Sequence, residues 1–384
     1  MASDKSKAKS AAKKNSSKAA KSGGGNVLLV ALAIALIPVL AFVVPEAGRL
    51  YHLTGLSHTP TLTEQTCKHV TADRLEGCED LAIHHRSGRV FLSCGSVATG
   101  KLDELKIAGL ETVGLRSQGL GIWDPVVDDR SKKTSAAGDS DAIVIMVVNH
   151  RSNESVIEII EHQPGTTEAV LVETARHPLI QAPNGVLPVS ARSFYVSNDL
   201  YNTDSKGRMF EMLTAREWGG VVFRSEDGEA VQAANGIGFA NGLGTNYNRD
   251  LIYVASSYKK VLVYERRVDN VLSLRDQIDV PVLADNLRVN PVDGSILVAG
   301  NTRFLEFLKA MTDPTARAHV EVVRIANNTG SDAYYGVKYT QKTIFGDYSL
   351  ESTPLSTADY SPQYNKLVLS TIVNPGFLVC DKTL

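Results

Sequence analysis

The sequence has no Gly-x-Ser-x-Gly elbow, no His-Glu-x-x-His zinc motif and no glycine-rich phosphate loop. These absences remove α/β-hydrolase, zincin and nucleotide-hydrolase chemistry from consideration. Long helical periodicity is missing too. What remains is short β-rich runs separated by turn residues, which excludes a helical bundle. There are only four cysteines in 384 residues, too few for a disulfide scaffold. The folded body also lacks excess positive charge. Residues 1–26 carry seven lysines against Asp4, a net of +6, so the net of −2 leaves everything after them at −8. A basic tail on an acidic body does not fit nucleic-acid binding, which needs the basic patch on the folded domain. With 43% hydrophobic and 21% charged residues, the rest is composed like a globular protein.

The tail, 1–26, is Lys/Ala/Ser-rich and ends in glycines, too polar to fold alone. Val27 to Val44 comes next without a charge, interrupted only by Pro38. At about 1.5 Å per residue, those eighteen positions just span a hydrocarbon core. A cleaved signal peptide is the competing reading. The long basic lead and the length of the apolar run favour an uncleaved signal-anchor over 27–45. The lysine excess places the N-terminus in the cytosol. A linker over 46–66 then leads to a body at 67–384 in the secretory-pathway lumen or outside the cell. Asn153 and Asn327 head glycosylation sequons in that body. Cys67 and Cys380 bracket it, and a bridge between them would contribute about 4–5 kcal/mol and tie the first element to the last.

Six copies of one unit recur in the body: a polar residue, a short strand, a turn, then an apolar strand ending in small residues. They start at Glu79, Gln118, Asn184, Asn241, Asp285 and Thr357. This spacing is that of four-stranded blades with variable loops, and it predicts an all-β, six-bladed β-propeller. An irregular β domain with accidental similarity is the competing reading. In a propeller the innermost strands start at one rim, so the polar starts converge on the axis. Glu79, Asn184, Asn241, Asp285 and Asn286 would bring hard oxygen donors together, which suits calcium. No thiolate and no histidine pair falls among them, which argues against zinc or copper. Singly, each Asn or Asp is more often a turn former. Recurrence at equivalent positions is what counts.

Five stretches carry a resemblance: Gly77-Cys-Glu-Asp80, Val147-Val-Asn-His150, Gly238-Phe-Ala-Asn-Gly242, Ala284-Asp-Asn286 and Leu378-Val-Cys380. In this order, across roughly residues 60–384, the chain resembles the serum paraoxonase/arylesterase family. The resemblance implies a six-bladed propeller with two central calcium ions that hydrolyses lactones, aryl esters and sometimes organophosphates. It implies Glu79, Asn184, Asn241, Asp285 and Asn286 as ligands of a catalytic calcium. Asp80 and the carbonyl of Leu120 would hold a structural calcium, and Cys67–Cys380 would be the closing disulfide. Two departures stand out. The family's histidine dyad falls on Gln118 and His150, and the second carboxylate of the structural ion falls on Gly185.

Glutamine orients water but cannot take its proton near neutral pH. His150 and Glu79 are then the remaining candidates for a base, with Asp285 beside them; His150 is equally a structural strand-end hydrogen-bonder. Phe239, near Asn241, is a candidate pocket residue or an ordinary core aromatic. His84 and His85 fall at a hairpin turn and read as solvated, and Cys78 and Cys94 face each other as a bridge or as buried thiols. The leading expectation is a calcium-dependent arylesterase or lactonase acting on a small ester or lactone. A catalytically silent, membrane-tethered binding propeller is the alternative, favoured by Gln118. A different six-bladed enzyme, strictosidine-synthase-like or gluconolactonase-like, would carry another rim pattern.

Overall fold

The computed structural model describes residues 44, 46–71, 75, 77–94, 104–110, 114–128 and 142–384. The tail at 1–26 and nearly all of the apolar run at 27–45 lie outside the described residues. Among the described residues no helix is long and apolar enough to cross a membrane. The chain divides into 1–52 and 53–384. Of the first unit, residues 46–52 are helical. The second unit holds every described strand.

That unit is an all-β propeller, built from sheets whose strands succeed one another outward. The first sheet is the hairpin β2 (Cys78–His84) and β3 (Arg89–Cys94). The next runs β5 (Ser117–Trp123), β6 (Ile143–His150), β7 (Ser155–His162) and β8 (Glu168–Ala175), with β4 (Lys106–Ala108) added parallel to β8. Then come β9 (Pro183–Pro188), β10 (Phe194–Asn198), β11 (Gly219–Arg224) and β12 (Ala230–Ile237). The fourth sheet holds β13 (Ala240–Thr245), β14 (Leu251–Ser256), β15 (Lys260–Arg266) and β16 (Leu272–Asp279). The fifth holds β17 (Leu283–Val289), β18 (Ile296–Asn301), β19 (Val320–Asn327) and β20 (Tyr339–Asp347). The last holds β21 (Leu355–Ser361), β22 (Lys366–Thr371), β23 (Phe377–Asp381) and, at its outer edge, β1 (Cys67–Val70).

Where six four-stranded blades are expected, the described residues form five complete blades and one hairpin. The residues after β3, 95–103, lie outside those described. The innermost strands nonetheless touch in a closed order, β2, β5, β9, β13, β17, β21 and back to β2.

Stacking explains the composition of the strands. A middle strand has a neighbouring sheet on both faces, so it reads as a continuous apolar run. Ile143–Val148 and Ile296–Ala299 are of this kind and are nearly all buried. Outer strands such as Leu272–Asp279 meet water and turn polar. The apolar clusters lie between sheets. Tyr195, Val221 and Phe223 pack on Ile252 and Val254, and Leu81 and Ile83 pack on Val368 and Phe377. At about 25 cal/mol per Å² this inter-sheet burial is the main stabilising term.

The ring closes through its ends. β1 pairs antiparallel with β23, setting Cys67 opposite Cys380, and the two are disulfide-bonded as expected. Cys78 and Cys94 are also bridged, which resolves the open alternative in favour of a disulfide. The hairpin β2–β3 turns through Gly88, whose φ of +70° favours a residue without Cβ.

His84 is buried at that turn, contrary to the solvated reading. Its Nε2 lies 2.8 Å from Asp124 Oδ2, and Arg86 Nε donates to the same oxygen at 2.8 Å. Burial pushes the Asp124 carboxyl up, but the hydrogen bonds from His84, Arg86 and the Val126 N–H outweigh it and bring the pKa to about 2. These contacts fasten the hairpin to the chain just after β5.

Removing the Cys67–Cys380 bridge by a double serine substitution should cost about 4–5 kcal/mol in chemical unfolding, against about 3 for Cys78–Cys94, which closes a much shorter loop. Equal losses would mean the terminal clasp does not close the ring. Asp124 titrates lower folded than unfolded, so its contribution is complete above about pH 4 and fades as pH falls toward 2. Asp124→Asn should therefore lower stability by about 1–2 kcal/mol at pH 7. It should also flatten the acid limb, as read from unfolding midpoints between pH 7 and 2.

Candidate functional site

Every innermost strand carries one extra residue near its start. The register shifts between Cys78 and Asp80, Ser117 and Leu120, Pro183 and Val186, Ala240 and Leu243, Ala284 and Leu287, and Leu355 and Thr357. A bulge bends its strand and re-aims the side chains it carries. The residues so placed are Glu79, Gln118, Asn184, Asn241, Asp285 with Asn286, and Ser356. Five of the six positions are those expected from the repeat; the sixth is Ser356, one residue before Thr357. Glycine follows three of them because the bulges nearly touch. A Cβ on Gly119 would lie 2.1 Å from the carbonyl oxygen of Asn184, and one on Gly242 would lie 2.7 Å from Cα of Asn286.

The bulged side chains contact one another. Asn286 Nδ2 donates to Glu79 Oε1 at 3.1 Å and to the Glu79 carbonyl at 3.3 Å. Asn241 Nδ2 donates to Ser257 Oγ at 3.4 Å, and Asn286 Nδ2 also reaches Ser356 Oγ at 3.3 Å. Ser356 Oγ also donates to the Glu79 carbonyl, and Thr357 Oγ1 does so at 3.1 Å. The amide donors of Asn241 and Asn286 are thus spent on protein. Their acceptors are not. Glu79 Oε2, Asn184 Oδ1, Asn241 Oδ1 and Asn286 Oδ1 are buried without a hydrogen-bond partner. An unpaired buried acceptor costs about 1–3 kcal/mol, so four from adjoining bulges call for a shared partner.

Burial, then the charges of Asp80 and Asp285, push the Glu79 carboxyl well above the usual range; Asn286 and Arg288 only partly offset this. Asp285 is raised by the same burial, with the Asp80 charge adding to it against the Asn241 hydrogen bond. A cation beside them would supply the missing compensation. Among the described residues no group of three or more His, Cys, Asp or Glu is arranged to hold a metal ion. The donor set is two carboxylates and three amides, all oxygen. It fits calcium and gives no thiolate or imidazole for a softer metal.

Asp80 and Leu120, expected at a second ion, are arranged otherwise. Asp80 Oδ1 accepts from Leu81 N at 2.8 Å, Arg288 Nη2 at 2.6 Å and Thr357 Oγ1 at 2.9 Å, while Oδ2 accepts from Leu120 N at 2.7 Å. The Leu120 carbonyl accepts from Arg288 Nη2 at 3.2 Å. These residues do not fit a metal. Sequence reasoning passed over Arg288, although a charged residue inside an inward-facing strand was itself a signal.

Gln118 and His150 are brought together, with His150 Nε2 hydrogen-bonded to Gln118 Oε1. Nδ1 lies 2.8 Å from Ser155 Oγ. With an amide oxygen at Nε2, that nitrogen carries the proton and Nδ1 accepts from the serine hydroxyl. Both ring nitrogens are therefore engaged. Burial holds the His150 pKa below its ordinary value, the Arg116 and Arg208 charges adding to this and Asp199 opposing it. Phe239 adopts φ +45° and packs half-buried on Leu53, Ala215 and Tyr258, a small apolar cluster two residues before Asn241. Asn153 and Asn327 are exposed. A cavity of about 390 Å³ beside Asn235, Lys260 and Tyr264 lies between sheets, and none of the axial polar residues lines it.

Known proteins resemble this chain in sequence. The family model described as Arylesterase matches residues 88–374. Mouse serum paraoxonase/arylesterase 1 is 28% identical over 246 residues, 63% of this chain and 65% of its own length. Chicken serum paraoxonase/arylesterase 2 is 26% identical over 299 residues, 77% of either chain. Human serum paraoxonase/lactonase 3 is 26% identical over 270 residues, 67% of this chain and 75% of its own. The chain thus spans about two thirds of the length of the mouse relative. Since the match extends over most of the propeller, from the β2–β3 turn to the last sheet, the chain belongs to the arylesterase family of the serum paraoxonases.

Proposed function

We propose that this protein hydrolyses carboxylic esters or lactones with one calcium ion held by Glu79, Asn184, Asn241, Asp285 and Asn286. The observation that carries the reading is the set of four buried oxygens on adjoining bulges with no hydrogen-bond partner. When bound, calcium supplies Lewis acidity toward a substrate carbonyl. The chain's own residues hold the donors in place: Asn286 fixes Glu79, and Ser257 holds the Asn241 amide. Only Glu79 and Asp285 among the bulged side chains can accept a proton from water. Gln118 cannot, and it occupies Nε2 of His150. His150 is thus a positioning residue in the unliganded protein. General-base catalysis is worth about 10²–10⁴-fold, so a slow esterase is the expected result.

The hairpin β2–β3 is the inner half of a sixth blade, supported by the closed order of six innermost strands. The run at 27–45 anchors the protein with its N-terminus cytosolic and the propeller lumenal or extracellular, supported by its length, its lysine-rich lead and two disulfides. In that setting Asn153 and Asn327 are glycan acceptors. A mobility shift on glycosidase treatment of the membrane fraction checks this; protein released by alkaline carbonate and untouched by glycosidase contradicts it.

Full-length protein assayed on phenyl acetate and a panel of lactones tests the chemistry. Turnover should vanish with a calcium chelator, and Asn241→Ala should weaken calcium binding about 10–100-fold. Gln118→His should raise turnover. Calcium binding without turnover would reject the enzyme and leave a binding propeller, the reading that Gln118 favours.

A further inference from the structure

The arylesterase relatives imply a second, structural cation beside the axial one, and the residues here do not fit it. We propose that the Arg288 guanidinium is a permanent internal cation in its place, so that the propeller needs no second ion to hold these strands together.

The geometry has three parts. First, Arg288 crosses the axis. It stands on β17, three residues beyond Asp285, and its partners lie on β2 and β5 on the other side of the ring. Nε donates to the Leu81 carbonyl at 2.9 Å. Nη2 donates to Asp80 Oδ1 and the Leu120 carbonyl, and Nη1 to its own neighbour, the Leu287 carbonyl, at 2.9 Å. Guanidinium thus takes the carboxylate and carbonyl oxygens that an oxygen-seeking ion would take. Its planar fork of five donors makes it the side chain able to do so.

Second, Asp80 is engaged at both oxygens. Leu81 N, Arg288 Nη2 and Thr357 Oγ1 donate to Oδ1, the threonine sharing its proton with the Glu79 carbonyl, and Leu120 N donates to Oδ2. Glu79, its neighbour in sequence, keeps Oε2 bare. Two adjacent carboxylates are therefore differentiated, one open to an ion and one closed.

Third, the remaining ligand is sterically excluded. A Cβ on Gly185 would lie 2.9 Å from the Asn241 carbonyl and 3.1 Å from Gly242 Cα, so a carboxylate there would displace the next bulge. Ser197 Oγ already bridges the gap, accepting from Gly185 N at 2.8 Å and donating to the Asn241 carbonyl at 2.8 Å. Charge balance agrees. Glu79, Asp80 and Asp359, whose charges act on Arg288, are all buried, so the guanidinium offsets part of their negative charge without a second ion.

The inference stands whether or not the axial oxygens hold calcium, and the test separates the two. Full-length protein stripped with chelator is dialysed against calcium, bound ions are counted by atomic emission, and unfolding midpoints are read with and without chelator. Wild type should hold one ion per chain. Arg288→Ser should lower the midpoint in chelator on the order of 5–10 °C. Millimolar calcium should recover part of that loss through a second ion. Arg288→Lys, which keeps the charge and loses the fork, should fall between and covers the case in which the serine variant does not fold. Two ions on wild type overturn the proposal. So does an unchanged Arg288→Ser midpoint, or a loss that calcium does not recover, as mere packing would give. No ion on wild type, with the Arg288→Ser loss still recovered by calcium, rejects the axial site alone.

Discussion

The inter-sheet contacts force the six innermost strands to stand side by side around one line, and that crowding governs the rest of the structure. Each strand relieves it in the same way, by one extra residue near its start. Glycine then becomes necessary where one bulge meets the next, and the polar side chain beside it turns inward. The site is therefore a product of closure. Oxygens at 79, 184, 241 and 286, far apart in sequence, are buried without partners on bulges of the innermost strands because the sheets repeat and the ends are clasped.

Within that centre, neighbouring groups of like type differ in how fully they are hydrogen-bonded. Asn241 and Asn286 spend their donors on the protein and leave their oxygens bare. Asp80 is engaged at both oxygens, by Arg288 and by backbone N–H groups among others. Gln118 and His150 are hydrogen-bonded to each other, and the other imidazole nitrogen meets Ser155. Relative to the resemblance, Gln118 stands where a histidine is implied, Gly185 where a carboxylate is implied, and Arg288 bonds to the Asp80 and Leu120 oxygens implied for a second ion.

Much of this is legible from residues alone. Polar residue, strand, turn and apolar strand, recurring from Glu79 to Thr357, carry the fold and five of the six bulge positions. The bulges themselves are not legible, since one extra residue leaves no mark in alternation when both faces of a strand are buried. For that reason the repeat points to Thr357 where the bulge carries Ser356. His84 reads as solvated because a turn position says nothing of Asp124, forty residues on and one strand away. Arg288 escapes notice because its partners Leu81, Asp80 and Leu120 are more than 160 residues distant in the chain. The first sheet is expected to be a full blade, and only its hairpin is described.

Diffraction from crystals of the full-length protein soaked in terbium, an anomalous stand-in for calcium, tests the central claim directly. The account predicts one strong peak on the axis, within about 2.3–2.6 Å of Glu79 Oε2 and the Asn184, Asn241 and Asn286 Oδ1 atoms. The absence of a peak there, or those four oxygens pointing apart, would contradict it.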